Sequence, residues 1–259
     1  AATCFVLRAI TDPDIPTNGG CFRPLKLTLP KGSIVNPQEP APVNARTATI
    51  KRVSSCVLGA LKEVLPEKVP ADSGNELLIL MLGGIRGNGE NYVVGDIVAS
   101  GSGAGYRSDG VDMIETDATN CMNLPVEALE MDVPVRINRF SLRPDSGGAG
   151  KHRGGLGCIR EYEVLRGDVT VTYRGERHNS PADGSQGGEP GALACATIYR
   201  ADGYSETVPS KDVFLLSPGD RLTIETAGGG GFGNLAERDQ SLTNADLKNG
   251  KISAAYSGR

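Results

Sequence analysis

The sequence has 259 residues and a formal net charge of −4, with 39% hydrophobic and 22% charged residues, which is ordinary usage for a folded globular chain. Lysine and arginine residues are scattered rather than clustered, which argues against a nucleic-acid-binding face. No apolar run approaches the ~20 residues of a membrane-spanning helix, and the N-terminus lacks a signal-peptide pattern, so we expect a cytoplasmic protein without a membrane segment.

Glycine is the compositional outlier, with 35 residues alongside 16 prolines and no tryptophan. That much turn chemistry argues against a helical bundle and favours a strand-rich fold with many corners. The six cysteines are far apart and form no C-x-x-C pair, which argues against both a disulfide framework and a cysteine metal site.

The first part of the chain predicts a short periodic element, a turn and a strand. Within residues 1–30, strict alternation of Leu25, Leu27 and Leu29 predicts the strand. Residues 31–46 are dense in proline and predict an irregular excursion.

The clearest helix follows this excursion. Thr47 or Thr49 would cap its N-terminus and Pro66 would end it. Its apolar residues recur at helical spacing, as expected for an amphipathic helix. They are Ile50, Val53, Val57, Leu61, Val64 and Leu65.

The remainder of the chain is dominated by predicted strands. Leu77 to Leu82 form a continuous apolar run that Gly83 and Gly84 would end, which predicts a buried strand. Further strands are expected at 92–98, 133–142, 158–165, 169–174, 192–199 and 220–226. Residues 101–110 predict a glycine-rich loop. The tail from Gly228 to Arg259 is glycine-rich and then polar, with a helix around 241–249.

The alternation of Val169, Val171 and Tyr173 with two threonines predicts a half-buried strand. No linker requires a domain boundary. We therefore expect one α+β module over residues 1–259, β-dominated, with glycine-rich turns and one clear amphipathic helix in its first half.

Several common catalytic motifs are absent from the sequence. The two histidines, His152 and His178, have no metal-ligand spacing, and neither a G-x-S-x-G elbow nor a Walker A pattern occurs. Gly228, Gly230 and Gly233 match G-x-G-x-x-G, but no βαβ unit follows them. The glycines therefore indicate close backbone packing or a close approach to another chain, rather than dinucleotide binding.

The most unusual stretch is residues 109–155, which concentrates carboxylates and amides between apolar segments. Two interpretations remain open, namely the lining of a polar pocket and a solvated loop. Lys151, His152 and Arg153 lie among glycines, which suits either an anion site or an exposed turn with incidental basic residues.

These residues resemble a known family. The segment DGVDMIETDATNCMNLPVEALEMDVPVRINRFSLRPDSGGAGKHRGGLGCIREYEVL (109–165) is similar to the core signature of the hydantoinase B family, which includes 5-oxoprolinases, caprolactamase subunits and acetone carboxylase subunits. Residues 15–53, VLGALKEVLPEKVPA (57–71) and TAGGGGFGNLAERD (226–239) carry the resemblance along the chain.

The resemblance implies that this sequence corresponds to the C-terminal half of a family chain. It places the family's metal ligands in the N-terminal half and ATP in a hydantoinase A-type subunit, so no metal site is expected here. The implied partners are that subunit, the N-terminal half of the family chain and a small cyclic amide, in a hetero-oligomer.

The resemblance also implies a reaction in which phosphoryl transfer activates an amide oxygen and water attacks the activated carbon. By residue type within the matched motif, we expect catalytic roles for Asp112, Glu115 and Glu127, which would orient the amide or act as base. The expected substrate-binding residues are Asn120, Asn123, Asp145, Lys151 and Arg153. Of these, Lys151 or Arg153 would neutralise a phosphoryl group or a carboxylate.

Three functions fit this expectation. The first is a subunit or fragment of an ATP-dependent amidohydrolase that opens hydantoin, 5-oxoproline or a lactam. The second is a subunit of an ATP-dependent ketone carboxylase. The third is a non-catalytic docking piece of such a complex.

Overall fold

A computed structural model describes residues 1–75 and 77–257 of the chain. The helices are α1 (Ala2–Thr11), α2 (Arg46–Leu61), α3 (Val126–Asp132), α4 (Gln240–Lys248) and α5 (Ala254–Ser257). The strands are β1 (Leu77–Ile85), β2 (Asn91–Ala99), β3 (Val135–Leu142), β4 (Cys158–Val164), β5 (Val169–Arg174), β6 (Cys195–Tyr199), β7 (Ser205–Thr207), β8 (Lys211–Leu216) and β9 (Arg221–Glu225). The α+β, β-dominated class expected from the sequence is confirmed.

The strands form two antiparallel sheets that enclose the main hydrophobic core. One sheet has the order β2-β1-β5-β8 and the other β3-β4-β9-β6-β7. Leu80 pairs with Tyr173 and Leu82 with Val171 on the inner face of the first sheet, and all four side chains are buried. Because alternate residues of a strand face opposite sides, this register places one apolar row of each strand in the core.

A buried charge crosses between the two sheets. Asp96 on β2 pairs with the guanidinium of Arg160 on β4 at 2.9 Å and accepts a hydrogen bond of 2.8 Å from the Tyr162 hydroxyl. The Arg160 guanidinium also lies 4.6 Å from the centre of the Phe140 ring. Burial raises the pKa of Asp96, and the Arg160 charge and the Tyr162 hydrogen bond oppose that shift. The ion pair therefore links β2 of one sheet to β4 of the other and fixes the position of one sheet relative to the other.

The predicted helix is confirmed, but its ends differ. It begins at Arg46, after Ala45 in the left-handed conformation (φ 56°), and no side chain caps it. Thr47 and Thr49 therefore lie inside the helix rather than at its cap. Helix α2 ends at Leu61, and turns follow up to Pro66.

The predicted strand through Leu25, Leu27 and Leu29 is wrong. These residues belong to no described strand, the Leu25 N–H donates to the Phe22 carbonyl at 3.0 Å, and Leu27 and Leu29 are exposed by 57% and 51%. Alternating leucines between two prolines resemble a strand, yet a strand requires a neighbour to accept its backbone hydrogen bonds.

The other predicted strands are found with shifts of a few residues at their ends. Strand β1 continues through Gly83 and Gly84, which were expected to end it, because both pair with β2. Strands β7 and β8 and helix α3 were not predicted. The helix expected at 241–249 is α4, and residues 258 and 259 of the tail lie outside the described residues.

The glycine-rich segments form a bundle of close-packed backbone. A Cβ atom added at any of residues 228–231 would lie 1.7–2.1 Å from a carbonyl oxygen of a neighbouring segment. These distances are far below van der Waals contact, so glycine is required at all four positions. The carbonyl oxygen nearest to Gly228 is that of Ser146, and the one nearest to Gly229 is that of Ser102. For Gly230 it is that of Asp183, and for Gly231 that of Ala149.

The neighbours of this glycine run repeat every three residues. Gly228 and Gly231 both face the segment 146–149, whereas Gly229 faces Ser102 and Gly230 faces Asp183. The N–H groups of residues 229, 230 and 231 donate to Gly155, Asp72 and Glu189 at 2.8–2.9 Å. The run therefore acts as the axis of the bundle, as the sequence interpretation of close packing predicted.

A membrane-crossing helix is not found in the part of the chain that the structure describes, since none of its helices is long and apolar enough.

We predict that Gly229→Ala in the full chain destabilises the fold by at least about 3 kcal/mol, because the new methyl overlaps the backbone of the Ser102 segment. The matched control is Gly105→Ala, where an added Cβ meets nothing within 4 Å, with an expected change within about 0.5 kcal/mol. Chemical denaturation followed by circular dichroism measures both. Equal midpoints for the two variants would contradict the requirement for bare backbone at residue 229.

Candidate functional site

A cleft of about 300 Å³ lies where helices α1 and α2 meet the polar loop that follows β2. One wall is apolar, and the other comes from the polar stretch that the sequence singled out. The apolar wall includes Phe5, Val6, Ile10, Leu58, Val111 and Ile114. The polar wall includes Ser55, Ser73, Asn75, Glu115, Thr116 and Asp117. A mostly apolar pocket with a few converging polar groups is typical of a small-molecule site.

A buried ion pair lies at the polar wall. Lys51 of α2 is 1% exposed, and its ammonium lies 3.1 Å from Oε2 of Glu115, whose side chain is 5% exposed. The Thr119 hydroxyl donates to the same oxygen at 2.6 Å. Charges this deeply buried occur with partners, since an unpaired one carries a large desolvation penalty. The other carboxylate oxygen of Glu115, Oε1, is also buried and has no hydrogen-bond partner among the described residues.

Asn75 is held in one orientation beside this pair. Its amide nitrogen donates to the Ser55 hydroxyl of α2, and the Thr116 hydroxyl lies 3.2 Å from its carbonyl oxygen. Thr116 also lies 3.2 Å from a carboxylate oxygen of Asp117, a residue in the left-handed conformation (φ 64°). Burial raises the pKa of Asp117, and the Lys51 charge and the Thr116 hydrogen bond oppose that shift.

Arg177 anchors the segment that carries Asn75. It donates to the backbone carbonyls of Ser73 at 3.1 Å, Gly74 at 3.3 Å and Pro181 at 2.7 Å. The fork of guanidinium donors thus fixes the backbone on one side of the cleft.

A second charge cluster, which we call the latch, holds the C-terminal segment against the glycine bundle. Arg153 is 2% exposed and donates to Asp246 at 3.0 Å and to Asp112 at 3.2 Å. Arg238 makes a two-point contact with Asp109, each bond 2.8 Å long, and also donates to Asp246 at 2.8 Å. The latch therefore joins the tail to the loop that carries the cleft.

Further contacts of the tail extend the latch. Lys251 lies 2.7 Å from Asp112, and the Ser253 N–H donates to the Asp145 carboxylate at 2.7 Å. The Tyr256 hydroxyl donates to the Gly147 carbonyl at 2.6 Å. The tail is consequently fixed at four or more points to residues of the 109–155 stretch.

The structure distributes the predicted site residues over three environments. Glu115 lies at the cleft. Asp112, Asp145 and Arg153 belong to the latch. The remaining residues are exposed: Asn120, Asn123 and Glu127, together with Lys151, which pairs with Glu237 at the surface.

Sequence reasoning missed Lys51, Ser55 and Asn75. A signal was present, because Lys51, Ser54 and Ser55 recur at helical spacing and form a small polar stripe on α2. The apolar stripe at Ile50, Val53 and Val57 is only partly buried, whereas Lys51 and Ser54 are buried. The helix therefore turns its polar stripe inward, toward the loop that contains Glu115.

The described residues contain no group of three or more histidine, cysteine, aspartate or glutamate side chains that could hold a metal ion. The carboxylates of the latch are already paired with arginine and lysine. The residues present do not fit a metal, and we derive no step through one.

A family model described as hydantoinase B/oxoprolinase matches residues 1–235. The chain belongs to this family. The resemblance seen in the sequence is therefore confirmed, and the matched range includes residues 109–165.

Relatives of three kinds are similar over nearly the whole chain. An uncharacterized protein of Methanocaldococcus jannaschii is 39% identical over 98% of this chain and 44% of its own length. The putative B component of a D-/L-hydantoinase from a Pseudomonas species is 33% identical over 92% of this chain and 40% of its own. The 5-oxoprolinase of Dictyostelium discoideum is 31% identical over 94% of this chain and 18% of its own.

Two solved structures share the fold. The ATP-dependent caprolactamase of Pseudomonas jessenii aligns with a TM-score of 0.86 and 30% identity, covering 99% of this chain and 46% of that one. A nucleotide-free acetone carboxylase aligns with a TM-score of 0.80 and 21% identity, covering 99% and 39%. The chain thus spans less than half the length of the relatives it matches.

We predict that the latch makes the fold sensitive to acid. Burial alone would raise the pKa of Asp109, but hydrogen bonds and charge from Arg238 and Arg153 outweigh it and hold the pKa below its ordinary value. A lowered folded-state pKa gives stability that is present above the unfolded value of about 3.9 and is lost as the pH falls through the folded value. We expect the denaturation midpoint of the full chain to drop below about pH 4.

Asp109→Asn should reduce the fall of the denaturation midpoint in acid. It should also lower the midpoint at pH 7, because Arg238 loses its two-point partner. Glu237→Gln, which removes the exposed pair with Lys151, is the control and should change the midpoint little. A pH profile of Asp109→Asn identical to that of the unchanged chain would show that the latch does not set acid stability.

Proposed function

We propose that this chain forms part of an ATP-dependent enzyme that opens cyclic amides such as hydantoin, 5-oxoproline or a lactam by hydrolysing the ring C–N bond. The observation that carries the proposal is the cleft with its buried Lys51–Glu115 pair, in a chain about one-third identical to a hydantoinase component and a 5-oxoprolinase. The cleft lies on the motif that carries the family resemblance.

The amide bond explains the need for ATP. An amide carbonyl is a poor electrophile with a poor leaving group, and ATP supplies the phosphoryl group that activates its oxygen. The sequence lacks a Walker A pattern, which supports placing the nucleotide on a hydantoinase A-type partner. We likewise place the divalent metal implied by the resemblance in the remainder of the family chain or in a partner.

With the nucleotide and the metal bound elsewhere, the role of the present chain is to orient the amide. Glu115 is the predicted catalytic residue that lines the cleft, and it is held by Lys51 and Thr119. Asp112 and Arg153 act by positioning, since their bonds to Leu156 N–H, Gly154 carbonyl and Asp246 fix the loop that carries Glu115. Exposed residues Asn120 and Asn123 follow Glu115 on the same loop and remain proposed substrate contacts.

We predict that the full chain, purified with its associated subunits, hydrolyses ATP in response to one of hydantoin, 5-oxoproline or caprolactam and releases the ring-opened acid. Glu115→Gln should lower the amide-dependent kcat/KM by about 100-fold, the usual scale for losing an orienting or proton-transferring carboxylate. Coupled phosphate release and mass spectrometry of the product measure both.

Glu63→Gln is the matched control, because Glu63 is exposed just after α2 and lies outside the cleft. The same preparation is assayed with labelled bicarbonate and acetone. Ketone-dependent fixation of the label without amide opening would replace the amidohydrolase with a carboxylase. Absence of both activities in an intact complex would favour the docking role.

We further propose that residues 12–45, which we call the arm, contact the polypeptide that corresponds to the remainder of the relatives' chains. No residue of the arm is buried, and its apolar side chains include Ile34, exposed by 81%, and Val43, exposed by 69%. With α1 and α2 the arm lines an apolar groove of about 710 Å³. Large exposed apolar surfaces mark interaction sites.

The charge of the arm and the length of the relatives' chains indicate which polypeptide would cover the apolar groove. The arm contains three acidic and three basic residues and therefore has no net charge that would attract a highly charged partner. The relatives carry more than half of their length outside the matched region. That polypeptide is therefore the natural source of a complementary apolar surface.

We predict that Ile34→Asp weakens association of the purified chain with this polypeptide by at least about 10-fold, since a buried unpaired charge disrupts an apolar interface. If the arm and this polypeptide belong to one chain, the rate of limited proteolysis of the arm is measured instead of binding. Val213→Asp, 62% exposed on the outer face of β8, is the control. Equal effects of the two variants would exclude the arm as a specific interface.

A further inference from the structure

The two sheets have very different outer faces. On the five-stranded sheet, Glu161 accepts hydrogen bonds from Asn138 and Thr223. Glu225 pairs with Arg143 at 3.4 Å. Paired polar side chains of this kind are typical of a sheet face that is in contact with water. The outer face of the four-stranded sheet is instead apolar over most of its area.

The composition of that apolar face follows from the strand registers. Leu80, Leu82 and Val171 point into the core, so the residues between them along each strand point outward. The outward residues form three rows across β2, β1, β5 and β8, which we call the open face. They are Val93, Gly83, Thr170 and Leu215 in the first row, Gly95, Met81, Thr172 and Val213 in the second, and Ile97, Ile79, Arg174 and Lys211 in the third.

The described helices leave the open face uncovered. Among them, only α3 has substantial contact with this sheet, at β2, and its Leu129 is buried in the core between the two sheets. Val93 and Val213 on the open face are exposed by 69% and 62%. Because water solvates apolar groups poorly, an apolar sheet face of this kind favours association with another surface.

Charges at the two ends of β5 limit the kind of surface that fits. Asp168 directly precedes β5, and its carboxylate accepts a hydrogen bond of 2.9 Å from the Ser217 hydroxyl. By strand alternation it continues the outward row of Thr170 and Thr172. Arg174 ends the same row, and its guanidinium forms no ion pair with a residue that the structure describes. The row is therefore acidic at one end and basic at the other.

The neighbouring charges preserve this polarity. Lys211 lies beside Arg174 and pairs with Glu176 at 2.9 Å. Glu176 also pairs with Arg52 of α2 at 3.2 Å, so the Arg174 end of the open face keeps a net positive charge. Near the other end, Arg166 lies in the exposed turn before Asp168 and outside the three rows.

A second copy of the chain matches these charges when two open faces meet about a two-fold axis. The axis crosses the strands between the rows of Thr170 and Thr172, so each strand lies antiparallel over its own counterpart. Asp168 then faces Arg174 of the second copy. Because a two-fold axis repeats every contact, the arrangement forms this ion pair twice.

The same axis places large side chains opposite glycines. On β1 the first row has Gly83 and the second has Met81, whereas on β2 the first row has Val93 and the second has Gly95. Met81 of one copy therefore faces Gly83 of the other, and Val93 faces Gly95. Within one copy the Met81 sulfur lies beside Gly95. Its flexible side chain can repack against the facing sheet. Shape and charge are thus matched by one arrangement.

We propose that the open face joins two copies of the chain in a symmetric, face-to-face dimer. The open face with the Asp168 row measures about 20 Å in each direction, since strands are about 4.8 Å apart and outward residues about 6.8 Å apart along a strand. Roughly 400 Å² per copy is at the lower end for a specific interface, so the dimer dissociates at micromolar concentration. The dimer is independent of the reaction that the enzyme catalyses.

Sedimentation velocity of the full chain with its associated subunits, over a range of concentrations, measures the number of copies. Asp168→Arg places two arginines opposite each other, and Arg174→Asp places two aspartates opposite each other. Each variant alone should weaken self-association by about 10-fold or more, because like charges repel across an interface. Arg139→Asp, an exposed residue of β3 in the other sheet, is the control and should leave self-association unchanged.

A mixture of the two variants tests whether the occupant is a second copy. Asp168→Arg chains are basic at both ends of the β5 row, and Arg174→Asp chains are acidic at both ends. Differently tagged chains of the two kinds should therefore pair with each other about 10-fold or more tightly than either pairs with itself. Purification through both tags followed by native mass spectrometry measures this preference. Unfolded variants could not produce it.

The remaining outcomes separate the open face from the arm. Val213→Asp should weaken self-association, whereas Ile34→Asp of the arm should not. A single copy at every concentration would overturn the proposal. Two copies without preferential pairing in the mixture would also overturn it, because the dimer would then use another surface. Loss of a different polypeptide from both single variants, with no recovery in the mixture, would assign the open face to that polypeptide instead.

Discussion

Around residues 228–231 the backbone of one segment is packed against the backbone of several others, at distances that leave no room for a single methyl group. This bundle holds the loops that carry both charge clusters. Gly229 contacts Ser102, which precedes the loop with Glu115, and Gly228 and Gly231 contact the segment 146–149, which precedes Arg153. Backbone contacts of this kind are rigid, because they involve no side-chain rotamers. The positions of the cleft and the latch therefore depend on the absence of side chains at the centre of the bundle.

The latch and the cleft lie on one short stretch of chain. Asp112 bonds Arg153 and the Leu156 N–H, and three residues later Glu115 bonds Lys51. The loop between them is thus fixed to the bundle at one end and to helix α2 at the other. The role proposed for Glu115 requires one orientation of its carboxylate, and this double attachment restricts the loop that carries it. The tail contributes through Asp246, which joins the two arginines of the latch.

Sequence patterns predicted the parts of this structure that depend on local order. The alternation at Val169, Val171 and Tyr173 and the helical spacing after Ile50 were sufficient for β5 and α2. The glycine run was assigned to close packing, but the segments it contacts, 72 and 183 among them, are far away in the chain. The same limit applies to the site. Residue type indicated Glu115 and Arg153 as candidate site residues. Glu115 lies at the cleft and Arg153 in the latch because of their partners Lys51 and Asp246, which are distant in sequence. The leucines at 25, 27 and 29 failed as a strand because alternation reports an apolar face without reporting whether a neighbouring strand exists.

Helix α2 links two of the proposed interactions of the chain. Lys51 on one side of the helix reaches Glu115 at the cleft, and Ile50 and Val53 line the apolar groove beside the arm. Helix α1 is shared in the same way, with Phe5 and Val6 at the cleft and Ala2 and Thr3 at the groove. In an isolated chain, partly exposed apolar residues leave both helices incompletely packed. A polypeptide that fills the groove would fix the helices from behind and so fix the Lys51–Glu115 pair in front. The proposed partner surface at the groove and the cleft are therefore coupled through the same two helices.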